Sequence, residues 1–167
     1  MTKLTGLNRF LTDNYDNIAK NIINNIKACK KVDQMLTAVF PTIKDVEMTF
    51  HSINNAEKAK AFLKHEKLGT NLRKACRELL AVKTNNINKF FDKEGAKRVK
   101  ACMTLFYITT ELPLFKEVLD RYFFGKYDGR TIRIIRGMEK EYNKIKKQIE
   151  ILTRRLKEYA KDLWWKN

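Results

Sequence analysis

Glycine and proline are scarce in this chain. Six Gly and two Pro in 167 residues leave little material for the turns of a sandwich or barrel of short strands, so long helices are expected. Histidine is limited to His51 and His65. Neither has a nucleophile or metal-ligand partner at diagnostic spacing, and both read as structural or solvated. The three cysteines, Cys29, Cys76 and Cys102, are odd in number and far apart. Without short-spaced pairs they are expected to be reduced, buried thiols rather than a disulfide or metal site.

Other absences exclude function classes. No G-x-x-x-x-G-K-[ST] or G-x-G-x-x-G loop is present to cradle a phosphate. Asp45/Glu47 and Glu139/Glu141 stand two apart, so on a helix their carboxylates diverge rather than converge on a metal or a sugar. No enzyme activity, cofactor or metal is therefore expected. The longest apolar stretch, around Ala101–Ile108, falls far short of the roughly 20 residues of a membrane span. Polar residues break the N-terminal MTKLTGLNRFLTDN before an apolar run builds, so a cytoplasmic protein without a signal peptide is expected.

Acidic residues are also few, 19 against 35 Lys/Arg, for a formal charge of +16. The excess is uneven. Residues 1–57 carry seven Lys/Arg against six Asp/Glu, residues 58–110 thirteen against four, and residues 111–167 fifteen against nine. Like charges repel in a compact state and add nothing to fold stability. An excess of this size points to a polyanionic partner, most simply nucleic acid.

Periodicity is helical nearly throughout. Leu11, Tyr15, Ile18, Ile22, Cys29, Val32, Leu36 and Val39 recur at steps of a buried helical stripe that runs to Pro41. Thr42 is placed to cap a short helix with Ile43, Val46, Phe50 and Ile53 on its inner face, and Asn55 to cap the next. That helix is expected to stop at Leu68-Gly69, with glycine in the left-handed terminal position, and a new one to restart at Thr70. A turn or a weak helical link is expected over residues 84–88. Asp92 caps the following helix, Pro113 opens another that ends at Phe124-Gly125, and residues 125–130 form a loop.

From Ile135 the apolar positions Met138, Tyr142, Ile145, Ile149, Leu152, Leu156, Tyr159 and Leu163 alternate steps of three and four. That is a strict heptad on a helix on the order of 50 Å long. The expected fold is an all-α, single-domain bundle of about six to seven helices with a long C-terminal heptad helix. Within it, residues 1–57 form a near-neutral helical part, 58–128 a basic helical core and 129–167 a long basic amphipathic helix.

Three clusters are candidate nucleic-acid contacts. In the middle of the chain, Lys60, Lys64, Lys67, Arg73, Lys74 and Arg77 fall at helix-neighbour spacing. Lys97, Arg98 and Lys100 load the start of the next helix, where free N–H groups already attract phosphate. Arg133, Arg136, Lys140, Lys144, Lys147 and Arg154 line the face of the last helix opposite its seam. Around the loop, Lys126 and Arg130 flank Tyr122 and Tyr127, aromatics suited to stacking on bases, while Phe123 and Phe124 read as core.

The sequence thus points to a non-enzymatic, backbone-contacting, sequence-nonspecific nucleic-acid binder. It would be a small subunit or accessory of a larger nucleoprotein complex, with single-stranded or RNA-containing partners and other protein subunits favoured and no membrane. The alternative is a helical interaction or structural component, such as a phage- or virus-encoded subunit or inhibitor. It would act through Leu152, Leu156, Trp164 and Trp165 of the C-terminal helix.

Overall fold

The computed structural model of the chain describes residues 6–33, 35–44 and 52–164. Among the described residues every regular element is helical, with six α-helices: α1 (Tyr15–Lys27), α2 (Ala56–Lys64), α3 (Glu66–Ala81), α4 (Lys93–Thr110), α5 (Pro113–Phe123) and α6 (Gly129–Trp164). Single 3-10 turns lie at Asn8–Phe10, Leu36–Ala38 and Ile87–Lys89. The chain divides into two units at Ile134/Ile135. None of the described helices is long and apolar enough to cross a membrane.

In the first unit α4 is central. From Ala101 to Phe106 every residue is buried, as expected of a helix enclosed on all sides. It packs against α5 and α2, and α3 packs against α1, α2 and α5. A row of phenylalanines crosses this core. Phe10 meets Phe62 edge-on at 5.2 Å, Phe62 meets Phe106 at 5.6 Å, and Phe106 meets Phe115 at 5.5 Å.

The expected caps are present. Asn55 Oδ1 accepts from the Lys58 N–H at 2.9 Å and Asp92 Oδ1 from the Gly95 N–H at 2.7 Å. Pro113 occupies the first turn of α5, which ends in left-handed Phe124 (φ 54°) and Gly125 (φ 70°). Residues 84–86 carry no regular structure and lead into the 3-10 turn at Ile87–Lys89.

Three expected elements differ. The long N-terminal helix does not reach Pro41; it stops at Lys27. Cys29 adopts φ 53°, with its N–H donating to the Ile26 carbonyl and the Lys30 N–H to that of Asn25. This is the paired closure usually made by glycine. Cys29 is consequently half-buried, whereas Cys76 and Cys102 are buried.

The second difference is at Ile43 and Ile53, which form an isolated parallel bridge rather than the inner face of a short helix. Val46, Phe50 and His51 lie outside the described residues. The third concerns the break expected at Gly69, which falls instead at His65. The backbone of His65 is extended, and its Nδ1 accepts from the Leu68 N–H at 3.4 Å, capping α3. Gly69 and Thr70 lie within α3. A Cβ at residue 69 would stand 1.9 Å from the Leu63 carbonyl oxygen, so glycine serves here as the close contact between two backbones.

In the second unit α6 continues to Trp164. Its seam residues Tyr142, Ile145, Ile149, Leu152, Leu156, Tyr159 and Leu163 are 47–69% exposed.

Candidate nucleic-acid interface

The turn at His65 sets α2 against α3 and brings Lys60 and Lys64 to the same cleft as Arg73. Thr109, Thr110 and Leu112 complete the cleft from the end of α4, with Leu63 between the lysines. Its volume is about 360 Å³, at the lower end of small-ligand sites. The Arg73 guanidinium occupies space left by the missing side chain of Gly69, its Nη1 lying 3.1 Å from where a Cβ would be.

Among the described residues the lining consists of three cations, two hydroxyls and two leucines, with no carboxylate, imidazole or thiol. Thr109 Oγ1 donates to the Leu105 carbonyl at 2.8 Å, and Thr110 Oγ1 donates to that of Phe106. Both hydroxyl protons are thus committed to the helix, and the positive charge of Lys60, Lys64 and Arg73 dominates the cleft. Lys60 also reaches Glu57 at 3.6 Å, an exposed pair worth at most about 1 kcal/mol.

The remaining middle-chain cations do not join this cleft. Lys67 turns toward α1 and pairs with Asp16 at 2.8 Å. Lys74 and Arg77 are exposed on α3. At the start of α4 the anion site read from Lys97, Arg98 and Lys100 is already served by the chain's own carboxylates. Asp92 caps the N-terminus, and Glu94 in its first turn holds Lys97 at 2.9 Å. Lys100 is half-buried, as is Arg98, whose burial lowers its pKa.

The aromatic pair also separates. Tyr122 is 5% exposed and its hydroxyl donates to the Leu79 carbonyl, so it cannot stack on a base. Burial pushes its phenol pKa up, with the Arg121 guanidinium opposing. Tyr127 is half-buried and lies parallel to Tyr107, ring centroids 6.0 Å apart. Phe124, expected in the core, is 92% exposed. The signal was available: Phe115, Val118, Leu119 and Tyr122 define the buried face of α5, and position 124 falls off it. Arg121 binds the Leu80 and Val82 carbonyls, a helix-end brace rather than a ligand contact.

Lys126, Arg130 and Arg133 are exposed around the start of α6. Asp128 fixes that start, accepting from the Thr131 N–H at 2.8 Å while its own N–H donates to buried Thr104 Oγ1 at 2.9 Å. Further along α6, Arg136, Lys140, Lys144, Lys147 and Arg154 are exposed. Leu152 and Leu156 are exposed on the seam. Trp164 ends the helix, but its side chain, like the whole of Trp165, lies outside the described residues. Among the described residues no group of three or more His, Cys, Asp or Glu could hold a metal ion. Sequence reasoning did not find Leu63, Thr109, Thr110 or Leu112: the packing of α2 on α4 brings Thr109 and Thr110 to the cleft, and the turn at left-handed Glu111 (φ 56°) places Leu112 there.

A family model described as "Protein of unknown function (DUF1810)" matches residues 4–135, and the chain belongs to this family. No curated protein matches it. Its structure is similar to that of the conserved hypothetical protein Rv1873 from Mycobacterium tuberculosis. The TM-score is 0.72 at 24% identity, over 77% of this chain and 95% of that one; the likeness is one of fold.

Proposed function

We propose that this member of the DUF1810 family is a non-enzymatic binding module that holds a nucleic-acid backbone, with the cleft of Lys60, Lys64 and Arg73 as its anchor. The observation that carries the reading is the convergence of three cations from two helices on one concavity, to whose lining no carboxylate contributes among the described residues. A guanidinium grips two phosphate oxygens in a fork, and two ammonium groups add point charges that need no fixed geometry. Exposed Leu112 offers apolar contact to the sugar beside that phosphate. Such a site reads charge and shape rather than bases.

Lys74 and Arg77 continue the cationic surface along α3, and the exposed basic face of α6 supplies another in the second unit. The lining brings cations together with leucines and with hydroxyls that already donate to backbone, a set suited to holding an anion. Binding, not turnover, is the activity it suits.

Fluorescence anisotropy with single-stranded RNA, single-stranded DNA and duplex at about 50 mM salt tests the reading. Binding that weakens steeply with salt and is lost in Lys60→Glu/Lys64→Glu/Arg73→Glu supports it. No binding to any of the three, or full binding by the triple variant, overturns it.

A further inference from the structure

The seam of α6 from Tyr142 to Leu163 runs three heptads, about 32 Å of helix, with every a and d side chain 47–69% exposed. On the opposite line, the f positions are Lys140, Lys147, Arg154 and Lys161, all basic and all exposed. A helix with one charged ridge and one continuous apolar ridge is built to bury the second. This stretch lies beyond residues 4–135, which the family model matches.

We propose that the seam is a self-association surface, on which the α6 helices of two copies of this chain pair as a parallel, two-stranded coiled coil. Charge selects the occupant and its direction. Heptad register puts Glu141 at g and Lys146 at the following e position. In a parallel, in-register pair each Glu141 therefore faces Lys146 of the other copy, twice per dimer. The remaining g–e positions pair Gln148 with Thr153 and Arg155 with Ala160, none of them repulsive. The antiparallel alignment that matches the whole seam gives Glu141 no cation.

Area agrees with a dimer. Seven half-exposed side chains at about 100 Å² each contribute on the order of 1,400 Å² over two copies, within the roughly 1,200–2,000 Å² of stable interfaces. The basic f line stays outward in such a pair, so the proposal stands or falls independently of nucleic-acid binding.

Light scattering coupled to size exclusion on the full chain, at about 100 µM so that mass action favours the dimer, should give twice the monomer mass. Leu152→Asp, at an exposed position, should give the monomer with the circular-dichroism melt of the first unit unchanged. Glu141→Lys should weaken the dimer by about fivefold, and Glu141→Lys/Lys146→Glu should restore it. Leu152→Cys in a Cys29→Ser background should form a symmetric disulfide between copies under mild oxidation. A monomeric or trimeric full chain, a charge swap that fails to rescue, or cross-linking only between Ile149→Cys and Leu152→Cys chains overturns the proposal.

Discussion

The carbonyl oxygen of Leu63 fills the place of a side chain on Gly69: a Cβ there would sit 1.9 Å from it. That contact lets α3 lie directly against the end of α2. One turn further along α3, Arg73 faces Lys60 and Lys64 across the cleft that Leu63 lines. The cleft therefore depends on a residue that carries no charge.

Gly69→Ala should destabilise the first unit by about 2–3 kcal/mol, because the colliding atom belongs to the backbone and cannot rotate away. Denaturant unfolding followed by circular dichroism measures this. Gly137→Ala is the control. Nothing lies within 4 Å of its added Cβ, and it should stabilise α6 by about 0.5–1 kcal/mol. A neutral Gly69→Ala would mean that the helices approach less closely.

Tyr122→Phe removes the donor to the Leu79 carbonyl, leaving a buried acceptor unpaired, and should cost about 1–2 kcal/mol of stability. Its effect on nucleic-acid affinity should be nil. Phe124→Ala should leave stability within about 0.5 kcal/mol, since the ring is in solvent. Paired melts and binding curves of the two variants separate these roles; a Tyr122→Phe chain as stable as the native one would contradict the buried bond to the Leu79 carbonyl.

Stability should fall in alkali. Burial raises the pKa of Cys76 and Cys102 above the ordinary 9.0 and that of Tyr15 and Tyr122 above 10.0. Each group keeps its proton longer in the folded chain than in the unfolded one. Their contribution is thus intact below pH 9.0 and is lost progressively as pH rises through and beyond the unfolded values. Thermal melts between about pH 8 and 11 should show a falling Tm, with a shallower fall above pH 9.0 in Cys102→Ala. A flat profile would contradict the burial of these groups.

The helical class and the long final helix were legible because spacing at three and four residues is a property of the sequence itself. Local chemistry found Asn55, Asp92 and Pro113, whose capping action needs only their own turn. It failed at Cys29, which takes a left-handed end normally marked by glycine. It failed in the opposite sense at Gly69, where a glycine marks tertiary contact and not a terminus. The site was half legible for the same reason. Lys60, Lys64 and Arg73 announced themselves by charge, whereas Lys67 looks identical in sequence and is claimed by Asp16 of a distant helix in the fold.

The most direct measurement is the salt dependence of binding for the native chain and for Lys60→Ala/Lys64→Ala/Arg73→Ala, with Lys67→Ala/Lys97→Ala as the control. If the cleft anchors the backbone, the slope of log K against log salt becomes shallower by about 2 in the cleft variant. It should hold its native value in the control. Equal slopes for the native chain and the cleft variant would contradict it.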